Sequence, residues 1–218
     1  MFVGHYGVSF AVKRADPRIP LWVLFIAVQL VDVFWSIFVL TGIEKVRIVP
    51  GFTASNPLDL YYMPYTHSLA GALGWSVIAY VAYRVVAKGD GRGAAWIAFA
   101  VFSHWLLDLL VHRPDLSLYD DTMKMGLGLW DHPMIELPLE GAVLFGGIWM
   151  YVRMAPAKRI ALWTLGAVMM AIQLYTFFGP LPTSPAGAAW SALAGYAVFA
   201  AVAAWLERPE AVAGAAAA

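Results

Sequence analysis

Apolar side chains run along this chain in long unbroken stretches rather than in the alternating or one-faced patterns of soluble strands and helices. Six stretches, residues 19–41, 66–87, 93–112, 135–153, 160–178 and 186–206, come close to the ~20 residues a helix needs to cross a ~30 Å hydrocarbon core. Gly, Pro or charged residues stand at most of their borders. A seventh stretch, 2–12, makes about three helical turns, enough to enter a membrane and too few to cross it. Because backbone groups in lipid must be satisfied within the chain, the pattern predicts an all-α integral membrane protein. Its form is a bundle of about six transmembrane helices with a short, re-entrant N-terminal helix. Residues 1–209 read as one membrane-embedded domain, and the Ala-rich end, 210–218, as a disordered tail. The start is too short and too polar for an ordinary signal peptide and is expected to stay in the mature chain.

Composition agrees. With 61% hydrophobic and 13% charged residues, a water-soluble globule could not hide its apolar surface. Fourteen Lys and Arg against fourteen Asp and Glu leave no basic field for nucleic acid, so no such partner is expected. The absence of cysteine excludes disulfides, thiolate metal sites and a cysteine nucleophile. Lys13, Arg14 and Arg18, then Arg84, Lys88 and Arg92, then Arg153, Lys158 and Arg159, and last Arg208 fall in alternate connections. The positive-inside rule places these, with both termini, in the cytoplasm. The loops 42–65, 113–133 and 179–185 are left outside.

Ionisable groups within a bilayer are costly and are tolerated where they have partners and a function. Asp32 stands halfway along the first long stretch, and His67 opens the second. The third contains SHWLLDLLVH, which sets His104, Asp108 and His112 at successive intervals of four, on one helical face. The fourth begins DHPMIELPLE, where His132 and Glu136 are again four apart and Glu140 continues the stripe. Counting ~1.5 Å per residue from the cytoplasmic borders puts Asp32 and Asp108 at the same depth, in the outer half. His67, His132 and Glu136 start their helices at that outer side. Imidazoles and carboxylates from four helices therefore converge, and they are suitable ligands for zinc or another divalent metal, which would offset the cost of burying several acids.

Each position also has a plainer reading. His5 alone reads as an interfacial polar residue as readily as a ligand, and His67 could cap its helix. No Arg lies in the middle of any span to pair with Asp32. Glu140 reads as a supporting residue or a surface ion pair, and Asp115, Asp120, Asp121 and Asp131 as solvated loop charges. The Trp and Tyr excess reads as an interfacial belt and core packing.

MPYTHSL followed by FSHWLLDLL resembles the THS and SHxxxD signatures of the YdjM-type bacterial inner-membrane metal-dependent hydrolases, over roughly the first 115 residues. His5 and Asp32 fit the same order. The chain departs from that family at QLVDVF, where a denser acidic motif is usual, and at 61–65, where a further His is usual. The resemblance implies a multi-pass protein of a bacterial-type inner (plasma) membrane. The order of ligands is also similar to that of soluble zinc-dependent phospholipase C. That likeness implies one zinc on Asp32, His67, His104 and Asp108, and another on His112, His132 and Glu136. It implies a third metal on His5 with Asp108 bridging, although the phospholipase's N-terminal tryptophan ligand is Met1 here.

One to three metal ions and a lipid or lipid-like substrate are thus expected. The leading expectation is hydrolysis of a lipid ester, above all a phosphoester, by metal-activated water near the outer face. No G-x-S-x-G elbow or H-E-x-x-H motif competes with it. Asp32 or Asp108 would bridge metals or act as general base, and Arg113 would hold a phosphate oxygen. A divalent-metal or proton transporter is the alternative from another class, and a ceramidase-like amide hydrolase is the third.

Overall fold

A computed structural model describes residues 1–208. Eight α-helices account for most of it: α1 (His5–Ala15), α2 (Leu21–Val28), α3 (Leu30–Leu40), α4 (Leu69–Val85), α5 (Gly91–Val111), α6 (Pro133–Val152), α7 (Arg159–Phe178) and α8 (Pro185–Leu206). Local chemistry sets their starts. The side chains of Ser68, Asp90 and Ser184 accept from the backbone N–H groups of Gly71, Gly93 and Gly187, and Pro133 and Pro185 occupy first-turn positions where no N–H is missed. The expected tail 210–218 lies outside the described residues.

Four helices, α5 to α8, are long and apolar enough to cross a membrane, and a fifth span results if the bent pair α2 and α3 counts as one. The chain is therefore a multi-pass membrane protein with four to five candidate spans, where six were expected. Two elements account for the difference. α4 has 17 residues, shorter than the stretch that predicted it. The first long stretch is broken at Gln29, where α2 and α3 meet at 53°. Gln29 leaves helical geometry (φ −107°, ψ 7°), its side-chain Nε2 donates to the Phe2 carbonyl at 3.2 Å, and the Val28 carbonyl accepts from His104 Nδ1 at 2.7 Å. Sharp kinks arise where side chains insert into the backbone ladder, and this one has that cause.

The loop 42–65 is not irregular throughout. β1 (Lys45–Ile48) and β2 (Leu58–Tyr62) pair antiparallel, Arg47 opposite Asp59 and Ile48 opposite Leu58, so the expectation of an all-helical chain needs this ribbon added. Beyond it, Ser55 folds back on Trp130: its N–H and hydroxyl both donate to the Trp130 carbonyl, at 3.0 and 2.6 Å.

α1 runs through the middle of the bundle, packed on α2, α5 and α6. Tyr6 and Phe10 are fully buried among Phe25, Leu144, Ile148 and Phe199. Close passage of α1 past α6 depends on two glycines, because a Cβ at Gly7 would lie 2.1 Å from the Val143 carbonyl oxygen and one at Gly147 the same distance from that of Gly7. One end of the bundle is tied by charge. Lys13 pairs with Glu207 at 2.6 Å, and Arg18 with Asp16 and Asp90 at 2.7 and 2.5 Å. Hydrogen bonds from Arg18 hold the Asp16 carboxyl below its usual range. The last described residues are at this end, whereas Met1 is buried deep in the bundle beside Asp108.

Candidate metal centre

α5 supplies one face of the site. His104 and Asp108 lie a turn apart, and His112 follows as the first residue past the helix, still on that face. His5 opens α1, Asp32 sits in the first turn of α3, and His67 precedes the Ser68 cap of α4. Asp32 Oδ1 is 3.2 Å from His67 Nε2 and 3.5 Å from His104 Nε2. Asp108 Oδ2 is 3.1 Å from His104 Nε2, 3.4 Å from His112 Nε2 and 3.7 Å from His67 Nε2. Asp108 Oδ1 accepts from the Met1 amino group at 2.7 Å and lies 3.2 Å from His5 Nε2. Three overlapping groups result: His5, His104 and Asp108; Asp32, His67 and His104; and His67, Asp108 and His112. Within each, one ligand atom per residue falls inside 4.8 Å of the others.

The outward-facing nitrogens of these rings decide what the inward-facing ones are. The Val28 carbonyl can only accept, so His104 Nδ1 carries the proton of its 2.7 Å contact. The Thr66 hydroxyl donates to Glu44 Oε2 at 2.6 Å, which leaves its oxygen to accept from His67 Nδ1 at 2.8 Å. His112 Nδ1 donates to Asp115 Oδ1 at 2.9 Å. In neutral rings, all three Nε2 atoms then present lone pairs to the same space as two carboxylates. His104 Nε2 is buried with no aligned hydrogen bond. Lone pairs facing anions repel unless a cation or extra protons stand between them. This arrangement, each imidazole oriented by an acceptor behind it, is the one metal-binding histidines use. The donor set of nitrogen and oxygen suits zinc and related divalent ions.

Local folding explains the ring orientations. In the THS run, Thr66 is gripped by Glu44, which accepts both its N–H and its hydroxyl; His67 points inward; and Ser68 caps α4. Burial pushes the Glu44 carboxyl up, against the pull of His67 and of the Thr66 donors. Trp105 Nε1 donates to the His67 carbonyl at 3.1 Å, and Trp130 lies against the His112 ring, centroids 4.1 Å apart. His5 stacks on His104 at 3.9 Å. Glu140, from α6, accepts from the N–H groups of Phe2 and Gly4 at 2.8 and 2.6 Å and so anchors the start of α1, which carries His5.

Six of the expected ligands thus meet: His5, Asp32, His67, His104, Asp108 and His112. The second expected set does not form. His132 is exposed at the N-cap of α6, because the 3-10 turn Leu129–Asp131 and Pro133 hold it at the surface. Glu136, one turn further, is buried but its Oε2 lies 3.0 Å from the Ser55 hydroxyl oxygen, and it belongs to none of the three groups. His112 accordingly joins His67 and Asp108 instead. Arg113 does not face the site either. Its guanidinium donates to the Phe52 carbonyl at 2.8 Å and lies over the Phe52 ring, turned toward the 42–65 loop.

Asp115 is no solvated loop charge but the partner of His112, a role its i+3 spacing from that histidine signals. Tyr196 of α8 donates to Asp32 Oδ2 at 2.8 Å, and nothing in the surrounding Ala-rich stretch points to it. The cluster opens on a cavity of about 640 Å³ that Asp32, His67, Asp108 and His112 border at one side and α7 and α8 at the other. Searches against protein-family models, curated proteins and solved structures find no match to this chain.

Proposed function

We propose that this protein is a membrane-embedded metal-dependent hydrolase that cleaves a lipid phosphoester, with zinc as the metal in its His/Asp cluster. The observation that carries the reading is the shared orientation of His67, His104 and His112. Each is held by an acceptor behind Nδ1, so that three Nε2 lone pairs and two carboxylates face one another. The resemblance of THS and SHxxxD to the YdjM-type hydrolases points the same way. Six crossings of a bacterial-type inner membrane belong to this proposal, with α4 as the returning partner of α5 and the Lys13–Glu207 end in the cytoplasm.

A bound divalent ion lowers the pKa of a water toward neutrality and offsets charge on a phosphoryl group. The chain's own residues do the rest. Asp32, whose side chain is 16% exposed against 2% for Asp108, faces the cavity and takes the proton of the attacking water. The water oxygen bonds to phosphorus as the bond to the lipid oxygen breaks, and the proton passes from Asp32 to that leaving oxygen. Tyr196 orients Asp32 throughout. Asp108, the most heavily contacted carboxylate, holds the cluster together.

Transport is disfavoured by packing. Between the site and the Lys13–Glu207 end, the bundle is filled largely by Tyr6, Phe10, Phe25 and Ile148, and the hydroxyl of Ser9, buried on α1 between His5 and Lys13, is engaged by the Leu24 carbonyl. The test is to quantify metal in purified protein and to follow phosphoester cleavage in lipid vesicles before and after chelation. Metal near one or more ions per chain and activity lost on chelation and restored by zinc support the reading. Protein that purifies without metal and is indifferent to chelator ends it.

A further inference from the structure

The cavity does not stop at the cluster. It continues between α7 and α8, which are consecutive in sequence and yet scarcely touch: α7 packs on α6, and α8 on α2 and α3. Ile172 and Thr176 line the gap from α7, and Ala188, Ala192, Gly195 and Phe199 line it from α8. The α8 positions step by four, three and four, which is one helical face. A Cβ added at Gly195 would meet nothing within 4 Å, so this face is open space rather than a packed seam. Tyr175 and Val198, 63% and 58% exposed, stand at its margin, which puts the opening on the side of the bundle.

A second feature is independent of that shape. Gln173, on the same stretch of α7, is 2% exposed and borders the cavity. Its Nε2 donates to Glu140 Oε1 at 3.2 Å, and its Oε1 is buried without a donor. Buried amide oxygens are paired as a rule, so one left free beside a cavity calls for a donor from an occupant. Water alone is a poor candidate for a groove walled by Ala, Gly, Ile and Phe, where it has few polar partners. The volume, about 640 Å³, lies in the range of ligand cavities.

We infer that the gap between α7 and α8 seats one acyl chain of a membrane lipid, admitted sideways from the bilayer, with a hydroxyl or amide N–H of that lipid donating to Gln173 Oε1. The placement of its phosphate end over His67, Asp108 and His112 rests on the hydrolytic reading, whereas the seat of the chain does not. One chain enters the groove and the other stays in the bilayer.

The test uses the whole chain in nanodiscs of phosphatidylethanolamine and phosphatidylglycerol, doped with phosphatidylglycerol bearing a diazirine midway along one acyl chain. After irradiation, adducts are mapped by mass spectrometry. Adducts concentrated on Ile172, Ala192 and Phe199 rather than on Trp190 and Trp205 are expected. Gly195→Phe lowers the groove adducts about tenfold, as overfilling a confined site does, with bound metal unchanged. Gly146→Phe, at an equally open position on α6, leaves them as they were. If Gly195→Phe loses metal, Ala192→Phe replaces it. Adducts spread evenly over the lipid-facing surface, or indifferent to both groove substitutions, overturn the inference. Groove adducts that persist in protein without hydrolytic activity uphold the groove and retire the hydrolytic reading alone.

Discussion

Thr66→Val removes the hydroxyl that accepts from His67 Nδ1 while leaving the shape of the side chain nearly intact. In the wild type, the 2.6 Å bond from Thr66 to Glu44 and the 2.8 Å bond from His67 to Thr66 form one relay, so the ring cannot turn without breaking it. Loss of such an orienting partner typically weakens metal binding ~10–100-fold, which is about 1.4–2.7 kcal/mol. Thr66→Ser keeps the hydroxyl and should bind metal like the wild type. Ser68→Ala, two residues on, removes the N-cap of α4, at a cost of about 1 kcal/mol in stability, and should leave metal affinity alone. Zinc affinity measured by competition with a chromophoric chelator separates these outcomes, and thermal melts of the metal-free proteins report folding. Should Thr66→Val bind zinc within a factor of about two of wild type, the lone-pair reasoning behind the centre is wrong.

Arg113→Ala and His132→Ala leave metal content unchanged, since one turns toward Phe52 and the other is exposed; loss of metal by either, read by elemental analysis, would contradict the geometry described above. Asp115→Ala weakens zinc binding in the same ~10–100-fold range as Thr66→Val, by freeing His112. Gly147→Ala forces a methyl group against the Gly7 carbonyl and destabilises the bundle by about 1–3 kcal/mol, visible as a lower melting temperature in detergent. Asp16 has a folded pKa below its unfolded value near ~3.9. Its stabilisation is therefore complete above that unfolded value and disappears as pH falls through the lower folded one, so the wild type should melt above Asp16→Asn at neutral pH and the gap should close in acid. A gap that widens in acid would reverse the sign of that linkage.

The solvent of this protein was legible from its residues alone, because run length and polarity are properties of consecutive positions. So was the α5 stripe of His104, Asp108 and His112, since a helix converts spacing of four directly into a shared face. The convergence of Asp32 and His67 on that stripe also followed, from counting depth along helices that cross in opposite directions. Tertiary structure alone decided the rest. Whether His132 or His5 completes the cluster depends on backbone direction at one turn, and the 3-10 segment before Pro133 turns His132 outward while Glu140 draws the start of α1 inward. The break at Gln29 is likewise a negotiated feature, in which a carbonyl leaves its helix to hold a histidine on another. Arg113 and Tyr196 found their partners across loops and helices whose mutual placement no local pattern encodes. Spacing along one helix is geometry the chain carries with it; which faces meet is settled by packing.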